Sequence, residues 1–335
     1  MPHSVAVFGA AGFTGALTAR LLYRHPSFEL KAVTARSDVG RRIDDLYPYH
    51  RVPLTFEELD LDRHTEVDAA VVAYPHGASA PLVRELLQRG MKVVDLSADF
   101  RLRDPATYEQ WYRHHEAPEL LDRAVYGMPE LYREKIRTAA LVANPGCYPT
   151  ATLLALAPLA RRGLIEDVVI DAKSGVSGAG RAATDKTHFV AVDENVAAYG
   201  VPRHRHTPEI EQELAILDPT HPDVRVTFTP HLLPLDQGEL VSCYVTGDGA
   251  LGDADLDALY NDAYEHEPFV EVVSSPPGVR DVRETNFCRV SVHRDERTGR
   301  VVAFGAIDNL WKGAASQAVQ NLNVMFGLPE AEGIS

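Results

Sequence analysis

Short apolar runs alternate with segments of helical period along the first part of the chain. SVAVF (residues 4–8) is an apolar run that ends in a glycine-rich loop, and the ALTARLLYRHP that soon follows is amphipathic. FELKAVTA (28–35) alternates and is rich in β-formers, whereas VDAAVVAYP (67–75) is continuously apolar. SAPLVRELLQRG (79–90) has helical period and a terminal glycine. MKVVDLS (91–97) and the middle of TAALVANPG (138–146) read as strands again. Strands alternating with helices predict βαβ units and a parallel, Rossmann-like sheet over residues 1–147.

After residue 147 the texture changes. ATLLALAPLARRGL is a helix closed by Gly163. DVVIDAKSGVSGAG is a strand running into a glycine-serine loop. DVRVTFTPHLLP, ELVSCYVTG, FVEVVS, NFCRVSVHRD and RVVAFGAID are strand-like, with two clear helices among them, TPEIEQELAIL and ADLDALYNDAYEH. Clustered strands predict an α+β domain over 148–308 with a largely antiparallel sheet. The final segment, NLWKGAASQAVQNLNVMFG, is a helix that stops at Gly327. No internal repeat or low-complexity tract interrupts the pattern.

Composition narrows the function classes. The 335 residues are 45% hydrophobic and 24% charged, an ordinary globular mixture, so disorder is expected only at the acidic tail LPEAEGIS. The formal charge of −15 repels phosphate backbones and argues against a nucleic-acid partner. No apolar run approaches a membrane span and the N-terminus does not read as a signal peptide, so a soluble cytoplasmic protein is expected. Three cysteines at long spacings, with no CxxC pair, suggest neither a disulfide framework nor a metal site.

Two motifs carry candidate chemistry. GAAGFTG places Gly9, Gly12 and Gly15, with Phe13 and Thr14 between them, after the first strand and before the first helix. Glycines there let a backbone approach a pyrophosphate that sits on the helix N-terminus. The second strand ends at Ala35-Arg36-Ser37 with no acidic residue to bond ribose hydroxyls. Arg36 and Ser37 suit a 2′-phosphate, which favours NADP, and Asp38 is the one counter-indication.

The second motif is NPGCYPTATLL. Cys147 stands at the start of an apolar helix, where unpaired N–H groups lower a thiol pKa. Cys243 and Cys288 lie inside apolar strand patterns, as buried structural cysteines do. A cysteine nucleophile beside a nicotinamide implies thioester chemistry on an activated acyl group. Its acid/base candidates are His206 and His204 in HRHTPEIEQEL, with Thr207 as the expected helix cap. Read as an extended segment, the two histidines face opposite sides. Arg101, after KVVDLS, is a candidate phosphate ligand.

GAAGFTG, DLSADFRL, YGMPE, NPGCYPTA, SGVSGAGR, HRHTPEIEQ, FTPHLLPLDQGEL and DNLWKGAASQAVQNLN occur in order over nearly the whole chain. Together they resemble the N-acetyl-γ-glutamyl-phosphate reductases of arginine biosynthesis, with aspartate-semialdehyde dehydrogenases as wider relatives. The resemblance implies NADPH-dependent reduction of N-acetyl-L-glutamyl 5-phosphate to the 5-semialdehyde with release of phosphate. It implies Cys147 as nucleophile, His206 as acid/base and Arg101 on the substrate phosphate. It sets Ser177 and Gly178 near the nicotinamide end and Asn309 against the carboxamide. It also implies that the helix 309–328 completes the first domain. Gln237 stands where the family often has arginine, which removes a candidate ligand for the substrate carboxylate. The alternatives are a carrier-protein-linked acyl-phosphate reductase of lysine or ornithine biosynthesis, aspartate-semialdehyde dehydrogenase, or an NADP-binding redox sensor. A sensor has no need of a helix-start cysteine with a histidine-rich loop downstream. A homo-oligomer, dimer or tetramer, is expected.

Overall fold

The structure, a computed structural model, describes residues 2–64, 66–247 and 249–334. The chain divides into two compact units, Met1–Gly146 with Ala314–Ser335, and Cys147–Gly313.

The first unit is built on six strands: β1 His3–Phe8, β2 Phe28–Thr34, β3 Ala69–Val72, β4 Lys92–Asp95, β5 Ala124–Tyr126 and β6 Leu141–Ala143. Their order is β2-β1-β3-β4-β6-β5 and every pairing is parallel. β3 is AAVV and all four residues are buried, the continuous apolar run of a strand covered on both faces. The chain crosses from one side of β1 to the other between β2 and β3. That switch point is where open parallel sheets bind ligands, beyond the carboxyl ends of their strands. β5 is three residues long, too short for its pattern to show in the sequence.

The acidic tail expected to be disordered is held by specific bonds over its described residues 328–334. Glu330 pairs with Arg133 at 2.8 Å and accepts from Gln320 at 2.7 Å. Asn323 donates to the carbonyls of Glu330 and Glu332, and His25 bonds the Glu332 carbonyl at 2.8 Å. Acidic composition suggested solvation, but specific donors hold each acceptor. The helix Ser316–Phe326 ends at Gly327 in a left-handed conformation (φ 67°), as the sequence predicts.

The second unit carries a seven-stranded mixed sheet. Its strands are β7 Asp167–Gly175, β8 Ala197–Ala198, β9 Val226–Leu233, β10 Glu239–Thr246, β11 Val270–Val272, β12 Cys288–Asp295 and β13 Arg300–Ile307. The order is β11-β12-β13-β10-β7-β9-β8, with parallel pairing at β11–β12 and β7–β9 and antiparallel pairing elsewhere.

The helix Cys147–Arg161 packs on this sheet, and every residue from Tyr148 to Ala160 is buried. A helix apolar on all sides belongs in a core. Pro158 within it removes an N–H and orphans the Leu154 carbonyl. Tyr264 restores the lost donor with an O–H···O bond of 2.5 Å to Leu154, and Tyr260 donates likewise to the next carbonyl, of Ala155. The proline is therefore tolerated where it would otherwise break the helix.

Candidate active site

The nucleotide half lies in the first unit. Gly9 has φ 91°, and a Cβ there would meet the Ala73 carbonyl oxygen at 2.6 Å; a Cβ at Gly15 would meet the Gly9 oxygen at 2.5 Å. Both positions need glycine because strand, loop and helix touch backbone to backbone. Gly12 differs: nothing lies within 4 Å of a Cβ placed on it. It precedes the helix Phe13–Tyr23, which has no side-chain cap and no acidic residue in its first turn. The first-turn N–H groups thus face an open cradle, the environment a pyrophosphate requires. The residues present fit a dinucleotide.

At the end of β2, Arg36 and Ser37 are exposed, and the Arg36 guanidinium lies 5.1 Å from the centre of the Tyr74 ring. Arg36 and Tyr74 line a cavity of about 740 Å³ with Leu59, Pro81, Leu82 and Glu85. That is the size of a small-ligand site, with an apolar floor and a cation at its edge. Asp38, the counter-indication, is paired with Arg41 at 2.7 Å. Arg101 is buried, and donates through Nε to the Asn144 carbonyl (2.7 Å) and through Nη2 to the Leu96 carbonyl (2.8 Å). These bonds fix the guanidinium at the carboxyl ends of β4 and β6.

The thiol half lies in the second unit. Cys147 is the first residue of its helix and is partly exposed, whereas Cys243 and Cys288 are buried. The Gly313 α-carbon comes so near that a Cβ there would sit 2.8 Å from the Cys147 Cβ, so a side chain at 313 would displace the nucleophile.

His206 and His204 do not face opposite sides. The segment is a tight turn, closed by Thr207 N–H donating to the His204 carbonyl, and the two rings lie 4.9 Å apart. The cap position belongs to His206, and Thr207 is already helical. Both rings meet the Tyr148 ring edge-on, at 5.7 Å for His204 and 5.9 Å for His206. His204 Nδ1 accepts from the His206 N–H, and burial, aided by the Arg205 charge, lowers its pKa to about 4. The His204 ring is therefore neutral near pH 7 and engaged with its own loop.

Ser177 and Gly178 lie in the turn Val176–Ala179 that follows β7. Ser177 Oγ accepts from Asn309 Nδ2 at 3.0 Å, and Asn309 Oδ1 accepts from the Gly238 N–H at 2.7 Å. The resemblance-derived residues Ser177, Gly178 and Asn309 are thus neighbours although far apart in sequence. Gln237 is nearly buried and points its amide towards Glu284, at 3.5 Å.

Glu239 escaped the sequence reading. Its exposure is 0%, in line with the inward positions Val241, Cys243 and Val245 of β10. That was the available signal: an acid on the apolar side of an alternating strand. Burial pushes its carboxyl up to about 8, with the Cys147 thiol acting to lower it and the Asp308 charge to raise it. Tyr148 is buried and Tyr199 half-buried here, joined at 3.0 Å through their hydroxyls, and desolvation raises the pKa of both. No cluster of ligating side chains suited to a metal exists among the described residues, and none of their helices is long and apolar enough to cross a membrane.

Two family models divide the chain between them. Residues 4–139 match the semialdehyde dehydrogenase NAD-binding domain, and residues 147–309 match the semialdehyde dehydrogenase dimerisation domain. Among solved structures, aspartate semialdehyde dehydrogenase II from Vibrio cholerae superposes with a TM-score of 0.73 at 21% identity, over 98% of this chain and 99% of that one. The Candida albicans aspartate semialdehyde dehydrogenase solved with NADP gives 0.74 at 14%, over 97% and 99%. These likenesses establish the fold. Curated relatives are much nearer. The N-acetyl-gamma-glutamyl-phosphate reductase of Desulforudis audaxviator is 53% identical over 98% of this chain and 97% of its own. Those of Pelotomaculum thermopropionicum and Desulfotalea psychrophila are 50% and 46% identical, covering 100% and 98% of this chain and 98% and 97% of their own. At that identity, over nearly the full length of both partners, this chain belongs to the N-acetyl-γ-glutamyl-phosphate reductase family.

Proposed function

We propose that the protein reduces N-acetyl-L-glutamyl 5-phosphate to N-acetyl-L-glutamate 5-semialdehyde, releasing phosphate, with NADPH as reductant, in the cytoplasm. The observation that carries the mechanism is the Cys147 thiol at the N-terminus of a fifteen-residue helix. The relatives' shared name supplies the acyl group.

The helix N-terminus favours the thiolate. The thiolate adds to the acyl carbonyl, the C–S bond forms, the C–O bond to phosphate breaks, and a thioester remains on Cys147. Bound NADPH supplies the hydride that reduces this thioester. His206 moves the proton on the former carbonyl oxygen as the C–S bond breaks and the aldehyde leaves. Arg101, fixed by two backbone carbonyls, offers a preset guanidinium to the phosphate. The first-turn N–H groups after Gly12 hold the pyrophosphate, and Arg36 with Ser37 takes the 2′-phosphate. Ser177 and Asn309 hold each other in place for the nicotinamide and substrate end. We also propose a homo-oligomer; Phe189 and Val190 of the second unit are 73% and 81% exposed, apolar surface that a second copy could cover.

The test is phosphate-dependent reduction of NADP with N-acetylglutamate semialdehyde, aspartate semialdehyde and a carrier-protein-linked semialdehyde in parallel. Turnover with the first substrate is expected. Turnover with either of the others alone reassigns the acyl group, and none with any of them returns the chain to a binding role.

A further inference from the structure

The reaction above leaves Glu239 without a task, although the strand ladder sets it opposite Ser174 and Ile307, and a Cβ on Gly313 would meet both Ile307 Cδ1 (3.2 Å) and the Cys147 Cβ (2.8 Å). We propose that Glu239 is the proton acceptor of Cys147: the two share one proton, and the thiolate forms when that proton moves from Sγ to the carboxylate. The inference rests on the covalent role of Cys147.

Three observations lead there. Both Glu239 oxygens are buried, and neither reaches a donor at full hydrogen-bond geometry. The neighbouring donors that act to lower its pKa are the Cys147 thiol, with the larger effect, and the Ser174 hydroxyl. The Ser174 hydroxyl donates to the Gly175 carbonyl at 3.2 Å, so the thiol is the stronger of the two donors towards Glu239. The neighbouring acid Asp308 is served differently. It accepts from the N–H groups of Glu284, Leu310 and Trp311 at 2.8, 2.9 and 3.2 Å. Burial raises the Asp308 carboxyl too, but these three N–H groups oppose the rise, and Glu239, with no donor at full geometry, is the acid better suited to take a proton. Tyr148 and Tyr199, the other titratable groups that sense both Glu239 and Cys147, have raised pKa values and stay neutral.

The step balances within the pair. The S–H bond breaks, an O–H bond forms on Glu239, and the single negative charge moves to sulfur. Glu239 keeps the proton while sulfur is acylated. When the C–S bond of the reduced intermediate breaks, the departing thiolate takes the proton back. His206 serves the oxygen and Glu239 serves the sulfur, so the two proton transfers have separate agents.

The test is iodoacetamide alkylation of Cys147 in the full-length protein from pH 5 to 10, read by mass spectrometry of the peptide carrying it. Buried Cys243 and Cys288 are internal controls. A coupled pair loses its protons in two steps. Wild-type alkylation is therefore expected to rise, level off and rise again, and Glu239→Gln to show a single step. Turnover of Glu239→Gln should fall about 10²-fold or more with KM for the acyl phosphate little changed. A one-step profile in the wild type overturns the proposal without any variant. So does a two-step profile, or unaltered kcat, in Glu239→Gln. Failure of the covalent role itself shows separately, as turnover retained by Cys147→Ser.

Discussion

In the first unit the carboxylate of Asp99 is fully buried, and it accepts from the N–H groups of Gly77, Ser79 and Ala80, the Ser79 hydroxyl and the Tyr108 hydroxyl. In the second unit Glu239 is just as buried and has no donor at full geometry. Desolvation raises both carboxyls, but at Asp99 the bonds from Gly77, Tyr108, Ser79 and Ala80 overcome it and the pKa ends below the ordinary value. At Glu239 desolvation prevails and the group reaches about 8. Burial by itself therefore does not decide ionisation; the donors supplied to the charged form do. Asp99 ties the start of the helix Ala80–Gln88 to the loop after β4. On the proposed mechanism its unit holds the cofactor, while Glu239 is left reactive in the unit that does the chemistry.

That division can be broken by single changes. Cys147→Ser should lower kcat on the order of 10⁶-fold, the scale of a lost nucleophile, with NADP affinity unchanged. If fluorescence titration shows the cofactor lost as well, the two halves are not separable. His206→Asn should cost about 10²–10⁴-fold in turnover, and His204→Asn about tenfold or less, since His204 is neutral and bonded to its own loop. Paired pH–rate profiles check this, and the reverse ranking would move the proton transfer to His204.

Stability separates the two carboxyls by sign. Asp99→Ala should cost about 3–5 kcal/mol in urea unfolding at pH 7, because buried donors lose a charged acceptor. The folded pKa of Asp99 is depressed, so its contribution is present above the free carboxyl value and is lost as pH falls through the folded one. Glu239 has a raised folded pKa, so stability is full below the free value and declines as pH rises through about 8. Glu239→Gln should thus be near neutral at pH 4 and stabilising by about 2–4 kcal/mol at pH 9. Destabilisation at pH 9 would mean that the charged form has a partner. The smallest effect concerns the cofactor. Arg36→Ala should weaken NADPH by about 1.5–3 kcal/mol, roughly one to two decades, and leave NADH unaltered. An equal loss with both cofactors would place Arg36 away from the 2′-phosphate.

The sequence by itself determined the features that follow from local rules. β1, the loop Gly9–Gly15 and the helix after it are adjacent in the chain, so periodicity and glycine spacing reveal them together. Cys147 at a helix start is likewise a local fact, and so is the alternation of β10. Tertiary structure decided what depends on distant segments. Glu239, Asp308, Ser174 and Tyr199 come from four separate stretches, and nothing within one stretch shows which buried acid receives donors from another. The ordered acidic tail has the same origin, since Arg133 and Gln320 are not its neighbours in sequence. The turn that brings His204 against His206 spans only four residues, yet an extended reading of them was equally allowed by the pattern. Ring contacts with Tyr148 and a backbone hydrogen bond favour the turn. Periodicity reports which face of an element is apolar; the protonation of a buried group depends on the donors that the rest of the chain brings to it.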